Sequence, residues 1–117
     1  MKLVSLNYNE SAALWSTQIA PYGQIDIKEL TTYPDLHKGE KVVIKGYVFN
    51  LIKTREFQVM VSWRYPVYVE AALPIRELYD DDQVTVYGTI AGEACGYNPN
   101  GVRLCQPYLI DAFFVKW

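Results

Sequence analysis

The sequence contains one histidine and two cysteines, and that scarcity removes several kinds of chemistry at the outset. A structural zinc site takes four ligands, commonly with C-x₂₋₄-C spacing, and Cys95, Cys105 and the distant His37 fall short of it. His37 stands in a turn, where a solvated or hydrogen-bonded ring is a better reading than a catalytic base. Missing as well are a G-x-S-x-G elbow, a phosphate-cradling glycine loop and a metal-binding helix. Asp80, Asp81 and Asp82 lack the spaced oxygens and glycine of a calcium loop and read as a solvated turn. No catalytic residue, metal ligand or cofactor is therefore assigned, and the chain reads as a non-enzymatic binding module.

Long apolar runs are also absent. None approaches the roughly 18 to 20 residues that span a bilayer, so no membrane segment is expected. The opening M-K-L-V-S-L-N-Y-N-E is interrupted by Asn7, Asn9 and Glu10 before a signal-peptide core can form, which points to the cytoplasm. A secreted chain with its leader already removed would read the same way. Basic excess is lacking too: net charge is −2 and the pI about 5.3. That counts against a general nucleic-acid coat, though not against a local basic face.

What is present is ordinary globular material with many tyrosines. At 117 residues, with 50% hydrophobic and 21% charged, the chain suits one domain with one core. Aromatics reach 15%, with 10 Tyr and 3 Trp, a composition that suits both strands and binding surfaces.

Residues 9–20 read as a short helix capped by Asn9 or Ser11 and stopped by Pro21 and Gly23. A second short helix is expected over 26–32, with Asp26 as its N-cap and Pro34 enforcing the exit. Gly39 to Leu51 then forms a long β-type run with Gly46 in its middle. Val42, Ile44, Val48 and Leu51 can share an inward face only if the alternation slips once, and Gly46 is the expected bulge. Lys45, Tyr47 and Phe49 would face outward. Strand two, Glu56 to Arg64, turns Phe57, Val59, Val61 and Trp63 inward. Strand three covers Pro66 to Ala71, strand four Gln83 to Cys95, and strand five runs from about Val102 to the end, with Pro107 requiring an edge or bulge.

The connection C-G-Y-N-P-N-G-V-R-L-C has the sharpest local geometry. Asn98-Pro99-Asn100-Gly101 fits a type I turn followed by a left-handed glycine, a three-residue hairpin loop. Counting outward, Tyr97 faces Arg103, Gly96 faces Leu104, and Cys95 faces Cys105 as a non-hydrogen-bonded pair. A disulfide there would lock the register. Two reduced cysteines packing as small apolar groups, the usual state in a reducing cytosol, are the alternative.

Two runs, I-D-I-K-E-L-T-T-Y-P-D-L-H-K-G-E-K-V-V-I-K-G-Y-V and D-D-D-Q-V-T-V-Y-G-T-I-A-G, resemble the small bacterial OB-fold domains grouped as tRNA-anticodon-binding-like. The resemblance implies an all-β domain with short N-terminal helices: a five-stranded OB-fold Greek-key barrel over residues 25–117, preceded by an extension over 1–24 with its own short helix. It does not cover the cysteine pair or that extension. An OB barrel binds single-stranded nucleic acid across strands two and three with aromatic platforms and basic side chains. The corresponding candidates are Tyr47, Phe49, Met60 and Tyr68, with Lys45, Lys53, Arg55 and Arg64 around them. The competing reading is that the N-terminal helix covers this face through Leu14, Trp15 and Ile19. The module would then serve a protein partner through aromatics such as Tyr97, Tyr108, Phe113 and Trp117.

Overall fold

Strand-forming runs rich in valine and tyrosine, separated by short turns, build a mostly β structure. The computed structural model describes residues 2–3 and 18–116. The helix expected over 9–20 lies, apart from residues 18–20, outside the described residues, as does Trp117. The elements are β1 (Lys2–Leu3), β2 (Gly23–Gln24), α1 (Ile27–Thr32), a 3₁₀ turn (Pro34–His37), β3 (Lys41–Leu51), β4 (Glu56–Val61), β5 (Tyr65–Ala71), β6 (Gln83–Tyr97) and β7 (Arg103–Lys116). α1 starts where the side chain of Asp26 accepts the Lys28 N–H at 3.0 Å, as the sequence predicts for a capping aspartate.

The long strands close a ring of hydrogen-bonded pairings. β3 pairs with β4, β4 with β5, β5 with β7, β7 with β6, and β6 returns to β3. All are antiparallel except β5 with β7. The two-residue β1 adds antiparallel to β7, and β2 adds parallel to β3. Inside the ring lie Val42, Ile44, Val48, Phe57, Val59, Val67, Val69, Val84, Val86, Leu109 and Phe114, all buried. Phe57 meets Phe114 edge to face at 5.4 Å, and Leu30 of α1 is fully buried in the same cluster. Removing a ring as central as Phe57 or Phe114 by substitution to alanine costs about 3–5 kcal/mol.

β3 serves two neighbours in succession. Lys41 to Tyr47 pair with β6, Tyr47 to Leu51 pair with β4, and Tyr47 pairs with both. The slip in its alternation is real but lies elsewhere than expected. Gly46 stays in register opposite Val84, whereas Phe49 is the extra residue between the Val48–Val59 and Asn50–Gln58 pairs. Gly46 answers a different need: a Cβ there would lie 2.3 Å from the Met60 carbonyl oxygen and 2.7 Å from Val59 Cγ1. Glycine lets β4 cross this close.

Other expectations need correction. Leu51 pairs with inward Phe57 but lies at the strand end and stays 41% exposed. Trp63 does not continue the inward row of β4; it is 82% exposed, because the chain turns at Ser62. Phe113, expected among the aromatics open to a protein partner, is buried, and so is Thr85, whose alternation with Val84 and Val86 would turn it outward. Asp111 is an extra residue in β7 against both β5 and β6, with φ 51°. Beyond it, Phe113 stacks on Tyr87 at 5.1 Å, and Tyr22 packs edge-on against both rings. The aspartate turn is partly tied down, since Asp82 accepts the Tyr79 N–H and pairs with Lys116 at 3.0 Å. Between β5 and β6, residues 72–82 hold no helix.

The final hairpin follows the local turn chemistry. Tyr97 pairs with Arg103, Gly96 with Leu104 and Cys95 with Cys105. Gly101 takes φ 78°, and Asn98 Oδ1 accepts the N–H groups of Asn100 and Val102. Cys95 and Cys105 are joined in a disulfide, with Cα atoms 4.1 Å apart. Pro107 is buried opposite Glu93, where the β6 register shifts.

Candidate functional site

The site grows from the point where β3 changes partners. Odd-numbered residues of β3 before the bulge point out of the ring, so Lys45 and Tyr47 share the outer face. β4 accompanies β3 only as far as the Met60–Tyr47 pair, then leaves. Its exit is a tight turn back into β5, closed by the Arg64 N–H donating to the Val61 carbonyl at 3.2 Å. The central residues Ser62 and Trp63 have φ of 54° and 60°. That is the handedness of a type I′ turn, which is normally built from Asn and Gly. A tryptophan in left-handed backbone is a costly outlier, of the kind found at binding sites. Its effect here is to stand the indole out of the sheet, with its ring centre 4.7 Å from that of Tyr47 and tilted by 42°.

A cleft of about 480 Å³ opens beside this pair. Tyr47, Trp63 and Met60 supply its flat and apolar surfaces, Lys45 a positive charge, Asp81 a carboxylate and Gln83 an amide. A shallower depression of about 280 Å³, lined by Ile25, Ile27 and Val43, shares Lys45 and Ser62 with it. Of the residues singled out in the sequence, Lys45, Tyr47 and Met60 come together here.

The remaining candidates lie apart. Phe49 is the half-buried bulge residue and lines neither depression. Lys53 sits in the β3–β4 loop, 3.8 Å from Glu56, and Arg55 in that loop accepts the Ala71 N–H through its carbonyl. Arg64 lies over the ring of Tyr65 at 5.7 Å. Tyr68 belongs to another surface, over β4, β5 and β7, where its hydroxyl donates to Glu56 at 2.5 Å and its ring meets Tyr108 at 5.4 Å. The Tyr108 hydroxyl donates to Glu70. Burial, followed by the Glu56 hydrogen bond, pushes the Tyr68 phenol up to about 12, and the Glu70 hydrogen bond with burial raises that of Tyr108. Asn50, Gln58 and Gln106 continue this surface as a chain of side-chain amide hydrogen bonds. Two carboxylates at its centre make it a poor partner for phosphate.

Trp63 is the residue that sequence reasoning misplaced. Its spacing from Val61 continues the inward alternation, but strands two and three follow one another with no glycine or asparagine between them. The turn therefore had to fall within S-W-R, and that was the available signal.

His37 is fully hydrogen-bonded: Nδ1 lies 2.7 Å from Glu40 and Nε2 2.8 Å from Glu29. The bond to Glu29, and then that to Glu40, raises its pKa, because two carboxylates favour the imidazolium. The disulfide is a state that oxidising surroundings preserve. Among the described residues no helix is long and apolar enough to cross a membrane. No protein-family model, curated protein or solved structure matches the chain.

Proposed function

We propose that the chain is a non-enzymatic OB-fold module that binds single-stranded nucleic acid at the Tyr47–Trp63 cleft. The pairing order of the ring supports the fold reading: numbering the five long strands in chain order, it runs 1-2-3-5-4 and returns to 1. The observation that carries the ligand is the exposed indole of Trp63, held against Tyr47 above a cleft that also presents Lys45. Bases stack on such rings irrespective of sequence, and a neighbouring ammonium suits the phosphate beside them.

Stacking contributes about 1–3 kcal/mol per base, which corresponds to about 5- to 150-fold in affinity. Binding of a fluorescein-labelled, unstructured oligonucleotide at low salt should therefore weaken by that factor in Trp63→Ala and in Tyr47→Ala. Lys45→Gln should flatten the dependence of log K on log salt by about 1. No binding at low salt, or wild-type affinity in Trp63→Ala, contradicts the reading.

A second reading, a protein adaptor, draws on the exposed Tyr97, Val102 and Leu104 of the final hairpin and on the carboxylates beside Tyr68 and Tyr108. It is favoured if the chain ignores oligonucleotides and its mass in solution exceeds that of one copy.

A further inference from the structure

The final hairpin carries chemistry that the cleft does not use. Glu93, Cys95 and Cys105 lie on one side of the two-stranded ribbon, since 93 and 95 are two apart and 95 faces 105. All three are exposed, and a carboxylate oxygen of Glu93 is 3.6 Å from Cys95 Sγ. Their ligand atoms lie within 4.8 Å of one another. We infer that reduction of the Cys95–Cys105 disulfide converts this group into a site for one thiophilic divalent cation, held by two thiolates and the Glu93 carboxylate.

The geometry suits that step. Tetrahedral coordination with metal–sulfur bonds of about 2.3 Å places the two sulfurs about 3.7 Å apart. The two Cα atoms are 4.1 Å apart, and breaking the sulfur–sulfur bond frees both side chains to rotate about χ1 and open the sulfurs toward that separation. Two thiolates and a carboxylate favour Zn²⁺ or Cd²⁺ over Mg²⁺ or Ca²⁺, and exposure leaves an entry path and a fourth position for water. His37 takes no part, and Glu93 is the third protein ligand.

The chemistry balances. A dithiol reductant delivers two electrons and two protons: its thiolate attacks one Sγ, the Cys95–Cys105 bond breaks, and its second thiol resolves the mixed disulfide. The products are two cysteine thiols and an oxidised, cyclic reductant. The cation then displaces up to two thiol protons. Disulfide and metal exclude one another, so the hairpin is closed by sulfur in oxidising surroundings and by a cation in reducing ones.

The test is a Co²⁺ titration of the intact chain, reduced and freed of reductant under anaerobic conditions, beside the oxidised chain. The reduced chain should bind one Co²⁺ per copy, with thiolate-to-metal charge-transfer absorption and proton release, and the oxidised chain should show neither. Glu93→Gln, which keeps both cysteines and the hairpin, should weaken binding by about tenfold or more. The inference is overturned if the reduced chain fails to bind one equivalent, if the oxidised chain binds equally well, or if Glu93→Gln leaves affinity unchanged.

Discussion

Gly46 and Gly96 are both strand glycines, and the difference between them measures what Gly46 does. A methyl at Gly46 would strike the Met60 carbonyl, whereas a methyl at Gly96 meets nothing within 4 Å. Backbone cannot yield as a side chain end can, so Gly46→Ala should lose about 1–3 kcal/mol by overpacking. Gly96→Ala should stay within about 0.5 kcal/mol of wild type. Chemical denaturation of the two variants checks this; equal midpoints would remove the crowding explanation. The same residue shows how far the sequence could be read. Val42, Ile44 and Val48 are inward as predicted, and one slip does occur before Leu51. A strand glycine signals either a bulge or a close approach, however, and only the register reveals that the bulge is Phe49 and the close approach Gly46. Trp63 was hidden for a related reason: alternation continues through it on paper, and the signal against that was the lack of any other room for a turn between strands two and three.

Among the elements, the join between α1 and β3 is held by charge rather than by apolar packing alone. His37 bridges Glu29 of α1 and Glu40 just before β3. A neutral imidazole has one N–H donor, so satisfying both carboxylates requires the protonated ring. Its folded pKa lies above the ordinary value of about 6.5. The resulting stabilisation is complete below the unfolded pKa and is lost as pH rises through the folded one. Thermal unfolding should therefore move to lower temperature as pH rises above the ordinary imidazole value of about 6.5, and His37→Gln should remove that part of the slope. Identical pH profiles for wild type and variant would exclude the bridge as its source. The final hairpin is the element that was most legible in advance. N-P-N-G carries its own turn chemistry, so the Cys95–Cys105 pairing follows from counting. The Tyr68 surface was legible only in its direction, because its carboxylate partners come from β4 and β5 through pairings that local sequence does not encode.

At the scale of the whole molecule, the net charge is a modest −2, and two surfaces differ in the charges they present. Glu56 of β4 and Glu70 of β5 accept hydrogen bonds from Tyr68 and Tyr108, while Lys45 stands beside the Tyr47–Trp63 pair where β3 passes from β6 to β4. The proposed cleft joins the Tyr47–Trp63 pair to one cation, Lys45, and one carboxylate, Asp81, so stacking rather than net charge has to carry binding there. The proposed cleft is tested by where an oligonucleotide binds. Titrating the isotope-labelled chain with a short unstructured oligonucleotide at low salt, while following backbone amide and indole resonances by NMR, reads that location directly. Shifts should concentrate on Lys45, Gly46, Tyr47, Met60 and Ser62 and on the indole N–H of Trp63. Shifts confined to the Tyr68–Tyr108 surface or the final hairpin, or no shifts at all, would contradict it.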